Sequence, residues 1–226
     1  MARAKRVNRK SAATHSETVR EKLLAEILPH VAFDGWTDKT LKDAASNLEV
    51  DDADLKAAFP RGITDALVFF SQQADDRAEA IIAAADLKAM KIRERVTFAV
   101  RTRIEVILQH KEAARRGAAV FALPQHALDG ATAVYRSCDM TWRAIGDTST
   151  DFNFYTKRAL LSGVYTSTML FWFADTSEGF EETWKFLDRR IADVMQIEKV
   201  KSAVLKVAGT LPNPLTILGA LRYPRG

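Results

Sequence analysis

The 226-residue sequence predicts an all-α fold of about nine or ten helices. Three observations carry that expectation. Apolar residues recur at helical spacing almost throughout, strand-like alternation is absent, and Gly or Pro punctuates the joins. A 47% hydrophobic and 27% charged composition suits one globular domain with a sizeable core. In chain order the expected helices are Glu17–Phe33, Thr37–Asn47, Asp51–Phe59, Ile63–Ala85, Leu87–His110, Glu112–Phe121, Pro124–Ile145, Asp151–Ala174 and Ser177–Leu211. Pro29 should bend or shorten the first of them, because it lacks an N–H and clashes with the preceding turn. Gly35 and Trp36 separate the first two helices, and Phe59 and Pro60 close the third. The expected organisation is a basic disordered arm (1–16), a three-helix N-terminal part (17–75), a helical body (76–195) and an amphipathic helix with its tail (196–226).

The net charge of +4 is concentrated at one end. Arg3, Lys5, Arg6, Arg9 and Lys10 supply five of the 33 basic residues; without them 28 basic residues face 29 acidic ones. The segment reads as a solvated arm, with nucleic acid or acidic lipid as its other possible contacts. Val7 is its only bulky apolar residue, which leaves almost no amphipathic face for a transit peptide. The single cysteine, Cys138, excludes an internal disulfide and a cysteine-based zinc site, and it reads as a buried structural thiol in a reducing compartment. The most apolar run, Met169–Ala174, is far shorter than the ~20 residues a membrane span requires.

Chemical motifs are missing. A di-iron bundle needs two Glu-x-x-His pairs, but His15, His30, His110 and His126 follow Ala12, Ile27, Ile107 and Leu123 at that spacing. There is no His-Glu-x-x-His, G-x-S-x-G or G-x-G-x-x-G. No catalytic residue, metal or cofactor is expected, and the chain does not read as an enzyme.

Three short helices followed by six, several of them longer, resemble the tetracycline-repressor family, in which a helix-turn-helix domain precedes a ligand-binding, dimerising body. The third helix speaks against DNA reading. From Leu41 to Ala58 five acids (Asp43, Glu49, Asp51, Asp52, Asp54) stand against Lys42 and Lys56, whereas phosphate neutralisation supplies most affinity for DNA. Acids at a helix start also cap it and satisfy its dipole. A repressor-type DNA-binding transcriptional regulator is the alternative functional reading.

The most informative segment is Gly146–Arg158. Thr148 and Asp151 have capping-box spacing, and three aromatics follow at once. At ~100° per residue Phe152 and Tyr155 share a side with Ala159, Gly163 and Leu170, whereas Phe154 joins Leu161, Tyr165 and Trp172 opposite. The expectation is that Phe152 and its neighbours hold the body together, while Phe154 and Tyr155, with Trp142 nearby, meet a partner. Asp147 and Asp151 are expected to serve the helix start.

Asp139–Asp147, Ser149–Arg158 and Thr183–Met195, together with Gly35-Trp36-Thr37, resemble the Coq-nine family of accessory lipid-binding proteins of ubiquinone biosynthesis. The resemblance covers about residues 20 to 195. It implies a homodimer that holds polyprenyl-quinone or other isoprenoid lipid in an apolar cavity and presents it to the di-iron hydroxylase of the pathway. The family's exposed partner patch falls here on Thr141, Trp142, Asp151, Phe154 and Tyr155. Two positions depart from the family: Phe154 replaces a common Trp and loses an indole donor, and Thr141 replaces a common Met and shrinks the patch.

Val164–Phe173 is apolar around its whole circumference and should be enclosed on nearly all sides. It is either plain core or also the wall of a lipid cavity, to which Tyr165, Met169, Leu170 and Trp172 would contribute. Past Arg190, Val200, Val204, Val207 and Leu211 share a stripe with Lys199 and Lys206 opposite. Such a helix packs on its own domain or lies in a lipid headgroup region, and the family uses its last helix for membrane contact. The expected location is cytoplasmic and peripheral to the inner face of a bacterial membrane, or the matrix face of the mitochondrial inner membrane in a eukaryote.

Overall fold

A computed structural model describes the backbone of residues 2–148 and 152–210 and the side chains of residues 16–148 and 154–196. The described residues are helical and contain no strand. The helices are α1 (Ala2–Asp34), α2 (Asp38–Asn47), α3 (Asp52–Ala58), α4 (Ile63–Ala84), α5 (Ile92–Glu105), α6 (Lys111–Phe121), α7 (Ala127–Ala144), α8 (Phe152–Ala174) and α9 (Glu181–Thr210). Short 3₁₀ turns at Leu87–Ala89, Leu108–His110, Pro124–His126 and Glu178–Phe180 break segments that the periodicity joined. The expected helix Leu87–His110 is therefore α5 with a 3₁₀ turn before and after it.

Two boundaries differ from expectation. α1 starts at Ala2 and takes in the basic segment that composition placed in a disordered arm; residues 2–28 contain no Gly or Pro to stop a helix. It also continues through Pro29 to Asp34. Elsewhere local chemistry sets the ends as read. The Thr37 hydroxyl accepts from the Thr40 N–H at the start of α2, and the Asp51 carboxylate accepts from the Asp54 N–H at the start of α3. α4 borrows its cap: the Ile63 N–H donates to the Asp38 carboxylate of α2 at 3.0 Å. Gly62 sits at φ 65°, and a Cβ there would lie 2.5 Å from that carboxylate oxygen, so glycine is required.

Val19, Leu23, Leu24, Ile27 and Val31 of α1 are buried and pack against α2, α3, α4 and α6. Trp36 ties this N-terminal part to the body, because its buried indole N–H donates to the Ala113 carbonyl of α6 at 2.9 Å. α4 belongs to both parts, so the expected boundary after residue 75 falls inside a continuous helix. In the body α7 lies centrally, against α4, α5, α6 and α8, and α9 packs on α8 and α5.

The α8–α9 corner is held by Asp175. Its carboxylate accepts from the Ser177 N–H (2.8 Å), the Thr183 N–H (2.9 Å) and the Thr183 hydroxyl (2.6 Å), while Lys111 of α6 donates to its carbonyl. Burial by itself would raise the Asp175 pKa, but the hydrogen bonds from Thr183 and Ser177 outweigh it and hold the carboxyl well below its usual range. A depressed carboxyl stabilises the fold fully above its unfolded value of about 3.9 and loses that contribution as pH falls through the lower folded value. Asp175→Asn is expected to cost about 1–3 kcal/mol at pH 7, and the gap from the parent should narrow only below about pH 4. Urea unfolding at a series of pH values reads this, and a gap that narrows from pH 7 to pH 5 would contradict it.

Candidate functional site

The motif begins with the end of α7. Gly146 takes φ 88°, its N–H donates to the Arg143 carbonyl at 3.0 Å, and the Asp147 N–H donates to the Trp142 carbonyl at 2.9 Å. This is a Schellman turn, which needs a left-handed residue and so selects glycine. The turn aims Asp147 back at α8 rather than at a helix start of its own. Its carboxylate is almost buried, 2.7 Å from the Lys157 ammonium and 3.6 Å from the Arg158 guanidinium.

Arg158 organises the rest. It is 2% exposed; its Nε donates to the Asp139 carboxylate at 2.7 Å and its Nη1 to the Phe154 carbonyl at 3.1 Å. Its guanidinium lies 3.4 Å from the centre of the Phe154 ring, and the Tyr155 ring meets Phe154 edge-on at 5.1 Å. Trp142 donates its indole N–H to the Lys157 carbonyl at 3.2 Å, with the Lys157 ammonium over its ring. Trp142, Phe154 and Tyr155 are thus fixed by a charged clasp between α7 and α8.

The expected patch residues do not all reach the surface. Tyr155 is 67% exposed, and Trp142 and Phe154 are half-buried. Thr141 is buried, its hydroxyl donating to the Ser137 carbonyl, and adds nothing to an exposed patch. A Thr hydroxyl can satisfy itself on its own helix, which lets it face inward. Asp151, and with it the capping box, lies outside the described residues, as does the Phe152 side chain.

The side of α8 that carries Ala159, Gly163 and Leu170, expected to hold the body together, is the open one. Leu161, Val164, Tyr165, Thr168 and Trp172 are buried, whereas Tyr155, Ala159, Gly163, Thr166 and Leu170 form an exposed stripe. α8 is therefore not enclosed all round. Its apolar circumference shows only that both sides can be covered; α7 and α9 occupy one side and leave the other open.

Beneath α8 lies an apolar cavity of about 370 Å³, within the range of small-molecule sites. α4, α6, α7 and α8 wall it, through Leu67, Phe70, Phe121, Ala133, Val134 and Phe173 among others. Of the expected lipid-binding residues, Tyr165, Met169 and Leu170 line it. Trp172 does not: fully buried, it packs on Phe173 and Phe180 with the Lys111 ammonium over its ring. Leu170 is 61% exposed, so the cavity reaches solvent beside it. A second hollow of about 240 Å³ lies between α5, α8 and α9, with Trp142 and Lys157 in its wall.

The cavity has a polar end that the periodicity reading passed over. Asp75, Arg103 and Ser137 are buried together, and Arg103 and Ser137 line the cavity. The Arg103 Nε and the Ser137 hydroxyl each donate to the same Asp75 oxygen at 2.6 Å, and the Arg136 Nε donates to the other at 2.9 Å. A signal existed: Asp75 stands among Leu67, Ala74, Ala78 and Ile82 on the apolar face of α4, and Arg103 among Val96, Ala99 and Val100 on that of α5. Cys138 is buried as expected, and burial pushes its thiol up to about 11.

The terminal part of α9 continues to Thr210, but the side chains of Lys199, Val200, Val204, Lys206 and Val207 lie outside the described set, and Leu211 lies outside it altogether. No helix among the described residues is long and apolar enough to cross a membrane.

The family model described as COQ9 matches residues 127–198, which hold α7, the motif, α8 and most of α9. The resemblance is to COQ9. The mitochondrial ubiquinone biosynthesis protein COQ9 of Rattus norvegicus is 29% identical over 188 residues, 80% of this chain and 60% of that protein. Its Homo sapiens counterpart is 27% identical over 188 residues, with 80% and 59% covered. The probable ubiquinone biosynthesis protein coq9 of Dictyostelium discoideum is 30% identical over 127 residues, with 56% and 41% covered. The chain thus spans about three-fifths of the length of the rat and human COQ9 proteins it resembles. Among solved structures, a TetR transcriptional regulator from Nitrosomonas europaea superposes with a TM-score of 0.63 at 17% identity, over 77% of this chain and 97% of that one. The fold is tetracycline-repressor-like, as the helix rhythm led us to expect.

Tyr155→Ala is expected to change stability by no more than about 0.5 kcal/mol, as for an exposed side chain. Arg158→Met takes a buried guanidinium from Asp139 and Asp147, which keep Arg143 and Lys157, and should cost about 1–3 kcal/mol. Chemical denaturation of the two variants separates clasp from surface; equal losses would make Tyr155 part of the core.

Proposed function

We propose that this protein is a non-catalytic, lipid-binding accessory factor of ubiquinone biosynthesis. In this reading it holds polyprenyl-quinone intermediates or related isoprenoid lipid and presents them to a partner di-iron hydroxylase at a membrane surface. The observation that carries the reading is the apolar cavity under α8, lined by Tyr165, Met169 and Leu170 and open beside Leu170. An isoprenoid chain is nearly insoluble in water, and an enclosed apolar wall removes that hydration cost. The likeness to COQ9 proteins, whose names place them in ubiquinone biosynthesis, supplies the pathway.

Trp142, Phe154 and above all Tyr155 are the surface offered to the partner, because the clasp holds them in place before any partner arrives. Thr141 is left out of that surface. A homodimer belongs to the same reading, and the uncovered stripe of α8 supplies apolar area for it. The end of α9, with Val200, Val204 and Val207 opposed to Lys199 and Lys206, is proposed to rest in lipid headgroups. Repressor activity is the weaker alternative: Asp51 and Asp52 are exposed at the start of α3, where a DNA reader would need cations.

Lipid extracted from purified protein and weighed by mass spectrometry should contain isoprenoid species. Ala133→Phe, which fills the cavity from α7, should reduce the yield several-fold without unfolding the protein. Extracts free of lipid in both proteins would sink the reading. Removing the residues after Gln196 is expected to weaken binding to anionic liposomes about tenfold or more; flotation unchanged by the truncation would remove the membrane role from the last helix.

A further inference from the structure

Arg103 is 3% exposed and lines the cavity, yet its hydrogen bonding is incomplete. Its Nε goes to Asp75 at 2.6 Å and its Nη2 to the Ser71 carbonyl and hydroxyl at 3.2 and 3.3 Å. Its Nη1 is buried and has no hydrogen-bond partner. A buried donor left unpaired costs about 1–3 kcal/mol, more when it is charged, so its persistence needs an explanation. The charge count points the same way. One carboxylate, Asp75, is shared by two guanidiniums, Arg103 and Arg136, and the Arg136 Nη2 is likewise buried without a partner. The cluster carries one positive charge in excess, beside a cavity whose lining is otherwise uncharged and mostly apolar. Burial works against the Arg103 charge, while the neighbouring Tyr165 and Asp75 offset it, so the guanidinium stays ionised.

The mouth of the cavity beside Leu170 has different chemistry. Ala118, Ala122, Leu170 and Phe173 line both the cavity and an open depression that continues along α6 and α8. Ala118, Ala119 and Ala122 leave space there for a chain to run out over the surface, with Arg115 at its edge.

We infer that the cavity takes a single-chain amphiphile head first: an anionic oxygen head, a carboxylate or a phenolate, accepts from Arg103 at the inner end, and the apolar chain leaves past Leu170. This rests on the reading of the cavity as a lipid site and adds which end of the lipid is buried and what charge that end carries. Ser71, Ser137 and Tyr165, which also line the cavity, place hydroxyls near the head. A lipid seated this way is stored rather than displayed. Its head must leave Arg103 before a second protein can reach it, so release is a step separate from binding.

The test uses the full chain, stripped of endogenous lipid, and three probes of similar chain: palmitate, its methyl ester, and hexadecanol. Titration calorimetry should give palmitate about tenfold or more tighter binding than the ester, the margin of a charged hydrogen bond. With 13C-carboxyl palmitate, the bound carboxyl should stay ionised to lower pH than the free acid in buffer. Equal affinity for palmitate and ester, with no downward shift of the bound carboxyl, would overturn the inference while leaving the lipid cavity intact. Binding of none of the three would overturn the cavity reading itself. The variant arm is R103M, which leaves Asp75 paired with Arg136 and Ser137 and the cluster neutral. It should bind ester and palmitate equally; retained preference for palmitate would place the anion elsewhere and overturn the assignment. R103K, which keeps the charge and loses the planar fork, should keep part of the preference.

Discussion

One buried carboxylate constrains the body of this protein. Asp75 of α4 accepts from Arg103 of α5 and from Arg136 and Ser137 of α7, so three helices meet on two oxygens. Such an arrangement is a poor way to gain stability, since taking charges out of water costs several kcal/mol per ion and apolar packing commonly does as well. Its consequence is geometric. Asp75 fixes where α4, α5 and α7 stand relative to one another, and the gap left between them, roofed by α8, is the cavity. The same cluster that spaces the helices also gives the cavity its polar end.

A second charged device works at the surface. Arg158 joins Asp139 and Asp147 of α7 and its following turn to the first turns of α8, and it carries the Phe154 ring on its guanidinium. The Schellman turn at Gly146 is what brings Asp147 within reach. Backbone geometry, ion pairing and aromatic packing therefore converge on one short segment, and their common product is a fixed Tyr155 standing 67% exposed. α8 both walls the cavity, through Tyr165, Met169 and Leu170, and carries the exposed Tyr155.

The helices were legible because each buries one stripe against the rest, and a 3.6-residue repeat survives any detail of packing. The caps at Thr37 and Asp51 were legible for a related reason: they depend on residues three apart in the chain. Errors arose where the information was long-range. The side of α8 with Ala159, Gly163 and Leu170 was read as covered and is open, because the helix is apolar all round and only the positions of α7 and α9 decide which face is covered. Trp172 was assigned to a cavity on type alone, whereas it packs on Phe173 and Phe180 instead. Thr141 was put on the surface by analogy of position, and its rotation about α7 turns it inward.

The sequence by itself determined an all-helical, tetracycline-repressor-like chain, a buried lone thiol, an acidic third helix and a motif rich in aromatics. The fold family follows from a resemblance in the rhythm of the helices, and the rest from composition and contacts within a turn or two. Tertiary structure alone decided that the motif's Arg158 is the hub of a clasp, that Tyr155 and not Thr141 stands in the open, and that Asp75 and Arg103 meet 28 residues apart at the end of a cavity. The reason is physical: periodicity specifies that a face is apolar or charged, but only the packed neighbours fix what that face meets. A charge on an apolar stripe is a signal in the chain, and its partner exists only in the fold.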